Sequence, residues 1–167
     1  MLSEIIDFTN CCTDDKKIDF LYAIFKDDFV DNDVHLNGTV YIDPKSHDKH
    51  EEKENIFWHI VTRKDRGRRN FDPPRACRIK WIKPIIVNHS HAKIKLFYYY
   101  EDTGKVRLYL WAFENDFVVI LQKLGSSSSY LVTSFYIDYE QKREKFQKKY
   151  EDYNNKTDER LNGCEWF

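Results

Sequence analysis

Histidine is the side chain best suited to exchange a proton near neutral pH. His59 stands at the edge of the most basic stretch of this chain, FWHIVTRKDRGRRNFDPPRACRIKWIKP over residues 57–84. Between Phe57 and Lys80 there are 8 bases (Arg63, Lys64, Arg66, Arg68, Arg69, Arg75, Arg78 and Lys80) against Asp65 and Asp72, a local charge of +6. Positioned guanidiniums stabilise the negative charge that develops as a phosphodiester is cleaved. One histidine and such arginines suffice for metal-free RNA cleavage, with His59 as base or acid and Arg75 and Arg78 on the phosphate. Arg63, Lys64, Arg66, Arg68, Arg69 and Lys80 would gather the RNA backbone by charge. A structural explanation competes at each position: His59 can satisfy a core hydrogen bond, and the arginines can form a solvated loop.

Further along, strict alternation in YLVTSFYID places Tyr130, Val132, Ser134, Tyr136 and Asp138 on one strand face and Leu131, Thr133, Phe135 and Ile137 on the other. Ser134 and Tyr136 then project together, a pair able to hydrogen-bond a phosphate and to orient or stack a base. A shifted strand would present Thr133 instead, and plain solvent-facing Ser and Tyr is the competing reading. His89 and His91 in NHSHAK share one side of an extended segment but have no carboxylate or third ligand nearby in sequence, so no metal site is assigned. His35, His47 and His50 lie in acidic, loop-like surroundings and receive no role. LFYYY reads as sheet packing rather than a base-stacking platform. No GxxxxGK[ST], GxSxG, HExxH or GxGxxG occurs, which removes nucleotide hydrolase, serine hydrolase and zincin readings, and no cofactor is expected.

The elements that must position these residues follow from composition and period. The chain has 167 residues, 41% of them hydrophobic and 33% charged, which suits one compact domain rather than disorder. Its net charge of −1 hides a segregation: residues 1–56 hold 14 acids and 6 bases. Focused binding of a polyanion fits that pattern better than general coating of nucleic acid. Cys11, Cys12, Cys77 and Cys164 lack metal-site spacing and read as reduced structural thiols. The beginning of the chain lacks the pattern of a secretory leader, and no membrane span is expected, so a cytosolic setting is the expectation.

Helical spacing of Ile18, Leu21, Tyr22, Phe25 and Phe29 predicts an amphipathic helix over 15–30, and a shorter one is expected over 2–9. LNGTVYID reads as a first strand and DPKSHDKHEEKEN as an exposed loop. FWHIVTR is a short strand or the end of a helix, KDRGRRNFDPP a loop, and RACRIKWIKPII a resumed strand. AKIKLFYYY, KVRLYLWAF and FVVILQK form an antiparallel meander. GSSSS links to the last strand, and a charged helix closes the chain. The expectation is one α+β domain, 1–167, with N-terminal helices, a β-meander sheet and a C-terminal helix. Within it, 1–56 is the acidic part, 57–139 the core that carries the chemistry, and 140–167 the final helix and tail.

The order FWHIVTR, basic loop, R..RI.W..PII, meander and LVTSFYI resembles the small nucleases of the barnase, EndoU, tRNA-cleaving colicin and RelE-like fold, including phage and mobile-element versions. That resemblance covers residues 57–139. It implies RNA cleavage without metal, with His59, Arg75 or Arg78, and Ser134 with Tyr136 at the matching positions, and Thr133 as the hydroxyl if the strand is shifted. It further implies an endoribonuclease leaving a 2′,3′-cyclic phosphate, a toxin or conflict role, RNA such as tRNA as partner, and a protein inhibitor or antitoxin. A non-catalytic RNA-binding or protein-binding module, immunity- or antitoxin-like, is the alternative. Oligomeric state is not legible in the sequence.

Overall fold

A computed structural model describes residues 1–11 and 13–167. The Thr13 side chain accepts from the Lys16 amide and caps α1 (Asp14–Phe25), with Asp14 and Asp15 in the first turn where the helix dipole favours acids. The helix continues as a wider π-helical turn over Lys26–Val30 and buries Leu21, Phe25 and Phe29. Residues 2–9 are not the expected helix. Their backbone is engaged elsewhere: the Ile6 amide donates to the Cys77 carbonyl at 2.9 Å, and Trp81 Nε1 donates to the Ser3 carbonyl at 2.7 Å.

The predicted first strand is divided between β1 (His35–Leu36) and β2 (Val40–Asp43), antiparallel to each other. The expected exposed loop contains a tiny hairpin, β3 (Lys49–His50) with β4 (Lys53–Glu54). Next comes α2 (Asn55–Val61), which settles FWHIVTR as a helix end running into a strand. Its buried residues Ile56, Phe57, Ile60 and Val61 follow helical rather than alternating spacing.

The basic segment is an ordered antiparallel ribbon, not a loop: β5 (Thr62–Asp65) pairs with β6 (Arg68–Phe71). Arg66 (φ 48) and Gly67 (φ 81) occupy its two-residue turn. Both central residues at positive φ make this the turn whose twist suits a tight hairpin, and Gly supplies that geometry at little cost. The strand expected over RACRIKWIKPII is helical instead. Asp72 accepts from the Arg75 amide and Pro73 and Pro74 open α3 (Pro73–Ala76), where missing N–H groups cost nothing. A 3-10 turn (Ile79–Trp81) and α4 (Ile82–Val87) follow and bury Ile79, Ile82, Ile85 and Ile86 on one helical side.

The meander is present as expected: β7 (Ile94–Tyr100), β8 (Val106–Ala112) and β9 (Phe117–Lys123), followed by β10 (Ser128–Tyr136). The six-stranded sheet runs β1-β2-β10-β9-β8-β7, antiparallel throughout except for β2 beside β10. α5 (Glu140–Asn154) closes the fold, so the class is α+β. One sheet face, with Leu108, Leu110, Phe117, Val119 and Leu121, joins the core supplied by α1, α2 and α4. The other, with Phe97, Tyr109, Trp111, Val118 and Ile120, packs on Phe146 of α5. Cover on both faces explains why FVVILQK is apolar almost throughout. Cys11, Cys77 and Cys164 are free thiols; the expectation for Cys12 lies outside the described residues. Among the described residues, no helix is long and apolar enough to cross a membrane.

Candidate active site at the edge of the sheet

β2 pairs with β10 only through Ser128, Ser129 and Tyr130, which leaves the rest of that edge for α2 and α3. Three residues distant in sequence meet there. Thr133 Oγ1 donates to the His59 carbonyl at 3.1 Å. Arg75 Nη1 reaches the same carbonyl at 2.9 Å, the Thr62 carbonyl at 3.0 Å and Thr133 Oγ1 at 3.4 Å. The carbonyls at the end of α2 have no partners within the helix, so Arg75 closes that end and complements its dipole. The Arg75 side chain is only 16% exposed and has Asp72 Oδ2 at 3.7 Å from its Nε. Burial lowers its pKa, and Asp72 opposes the shift.

The His59 imidazole lines a cleft of about 230 Å³ with His50, Glu51, Asn55, Trp58, Thr62 and Arg69. Burial lowers its pKa first and the positive charge of Arg69 lowers it further, against a hydrogen bond with the Val132 backbone and the charge of Asp48. The imidazole is therefore held neutral at neutral pH, the state that can accept a proton. Arg69 Nη1 donates to Thr62 Oγ1 at 3.2 Å, which anchors the guanidinium at the foot of the ribbon.

A second cleft, about 210 Å³, is lined by Arg63, Asp72, Pro74, Arg75, Phe135, Tyr136, Asp138, Tyr139 and Lys142. Arg63 pairs with Asn70 and Arg69 with Lys64, so the two arginines belong to opposite faces of the ribbon. Each face serves one cleft. Arg78 is a spacer rather than a free cation: its guanidinium lies 4.0 Å from the centre of the Tyr136 ring and 5.3 Å from that of Trp81. Its Nη1 donates to the Pro74 carbonyl, so part of its donor capacity is already used.

Ser134 does not project to the site as the alternation predicts. A β-bulge between Leu131 and Thr133 resets the alternation, so that Leu131, Ser134 and Tyr136 pair with Leu121, Val119 and Phe117 on the larger core face. Ser134 is 0% exposed and its Oγ has no hydrogen-bond partner among the described residues. Thr133 is the hydroxyl at the site. Lys64, Arg66 and Arg68 are exposed on the ribbon, and Lys80, exposed on the 3-10 turn, lines neither cleft. His89 packs on Phe167 at 5.2 Å between ring centres, and His91 Nδ1 accepts from the Lys93 amide.

Sequence reasoning assigned Arg69 and Arg63 only a gathering role and missed Lys142. The hairpin was legible in principle, because RKDRGRRNF carries a central Arg-Gly between pairable runs. Lys142 had no local signal, since it reaches the cleft only through the docking of α5. No family model, curated protein or solved structure matches this chain.

Proposed function

We propose that this protein is a metal-independent endoribonuclease that grips RNA through the β5–β6 ribbon and cleaves it in the His59 cleft. The observation that carries this reading is the half-buried His59 in one cleft with the anchored guanidinium of Arg69, where burial and that charge favour the neutral imidazole. In the proposed reaction His59 takes the proton of the ribose 2′-OH. The freed oxygen attacks the adjacent phosphorus, the bond to the 5′-oxygen breaks, and a 2′,3′-cyclic phosphate remains while the 5′-oxygen takes a proton from water and His59 returns its own to solvent. Arg69 faces the phosphate; Arg75 and Thr133 hold the α2 terminus, and so His59, against β10. A cytosolic toxin or mobile-element conflict role, with tRNA among its targets and a protein inhibitor as partner, is the setting that fits.

The uptake of Arg75 and Arg78 into structural contacts favours a second reading, RNA binding without cleavage. Incubation with total RNA and a tRNA pool in excess EDTA, with analysis of product ends, separates the two. Cyclic phosphate ends that disappear in His59→Ala are expected. RNA binding without cleavage would leave only the binding module, and undiminished cleavage in His59→Ala would remove His59 from the mechanism.

A further inference from the structure

The second cleft carries a cation that the His59 chemistry does not use. Lys142 lies in the first turn of α5, its ammonium 4.2 Å from the centre of the Phe135 ring. Burial lowers its pKa; Asp138 opposes this, and Arg75 and Arg63 push it further down. Arg63, Arg75 and Lys142 line one small cleft. Of the two carboxylates there, Asp72 is engaged by Arg75 and by the N-terminus of α3, which leaves Asp138 to face Lys142. Three cations against two carboxylates leave the cleft positive. With Asp72 and Asp138 each facing one of the cations, the surplus positive charge favours an anion in the cleft. Tyr139, which lines the same cleft, is 53% exposed although it is a large aromatic side chain, and it caps α5 without a side-chain hydrogen bond.

We infer that this cleft is a nucleotide subsite for single-stranded RNA, with Arg63 and Lys142 on a phosphate and a base stacked on Tyr139. The inference rests on the proposed RNA site at His59, because a strand crossing the foot of the ribbon passes from Arg69 on one face to Arg63 on the other. A backbone phosphate supplies the anion, and an unstacked base supplies the flat partner for the exposed ring. A duplex carries phosphates but keeps its bases stacked inside, so it offers no base to Tyr139, and the preference is for single strands.

The test is fluorescence anisotropy of the intact protein with a labelled single-stranded oligoribonucleotide across a salt series, using its duplex as the comparison. Loss of one phosphate contact lowers the slope of log K against log salt by about 0.7 for a single strand. Lys142→Ala should show that decrease and Lys142→Arg should restore it, with both variants melting close to wild type. Tyr139→Ala should weaken single-strand binding roughly tenfold with the slope unchanged, as expected for a lost stacking contact. Duplex binding should be unaffected in Tyr139→Ala, because a duplex presents no unstacked base. Unchanged slope and affinity in Lys142→Ala and Tyr139→Ala, while wild type binds and cleaves, would overturn the subsite and leave the nuclease intact. Wild-type protein that binds no RNA would overturn both.

Discussion

At the scale of the residue, the environment of His59 makes its own pH prediction. Because burial and Arg69 lower its pKa, the unfolded chain binds the proton more readily than the folded one. The stabilising contribution is complete above the ordinary histidine value of 6.5 and is lost as pH falls through the lower folded value. Melting temperatures measured from pH 7 downward should therefore drop in wild type, and His59→Gln should flatten that part of the curve. The acid limb of kcat/KM should lie below 6.5, and Arg69→Ala should move it upward towards 6.5 by removing the neighbouring charge. An acid limb unmoved in Arg69→Ala would separate the two side chains functionally. Ser134 offers the opposite case. A buried hydroxyl without a partner costs stability, so Ser134→Ala should be neutral or stabilising by up to about 1 kcal/mol in chemical denaturation, with cleavage retained. Arg75→Ala, by contrast, strips two helix-end carbonyls of a charged donor and should destabilise by about 3 kcal/mol. Arg75→Lys should rescue little, because a single ammonium cannot replace the planar fork.

At the scale of the element, the ribbon is a short, closed device for presenting charge. Its turn uses Arg66 and Gly67 at positive φ, and its exposed side chains do not enter the core. Arg66→Gln with Arg68→Gln should leave thermal stability almost unchanged and lower the salt slope of single-stranded RNA binding by about 1.4. A fall in melting temperature with no change in slope would mean that the ribbon serves the fold rather than RNA. Gly67 has open space where a Cβ would stand, so conformation rather than a clash limits substitution. Gly67→Val should loosen the turn and weaken RNA binding without unfolding the domain.

For the whole molecule, the sheet is a central layer with helices on both sides, and the two sides are unequal. The larger core carries α1, α2 and α4; the smaller rests largely on α5. Phe146 is 5% exposed and contacts the rings of Phe97, Tyr109, Trp111 and Phe135. Phe146→Ala should cost about 3–5 kcal/mol in denaturant unfolding, the range for a large buried aromatic. It should also weaken single-stranded RNA binding, since α5 brings Lys142 and Tyr139 to the second cleft. Full binding by a strongly destabilised Phe146→Ala protein would show that α5 is not needed to build the RNA surface.

Local patterns in the sequence determined the α+β class, the meander, the terminal helix and the isolated island of positive charge, because periodicity and composition act over a few residues. Those patterns failed where local preferences conflict. RACRIKWIKPII looks like a strand by its β-branched residues, yet an Asp72 cap and two prolines make it helical. Only the tertiary structure decided that a bulge sends Ser134 into the core and leaves Thr133 at the edge, because alternation cannot reveal an extra residue whose effect appears in the pairing partner. It also decided that Arg75 holds the end of α2, while Arg69 and Arg63 turn to opposite clefts. Those roles depend on which carbonyls, rings and charges converge after the chain packs, and residues so far apart carry no mark of one another in the sequence.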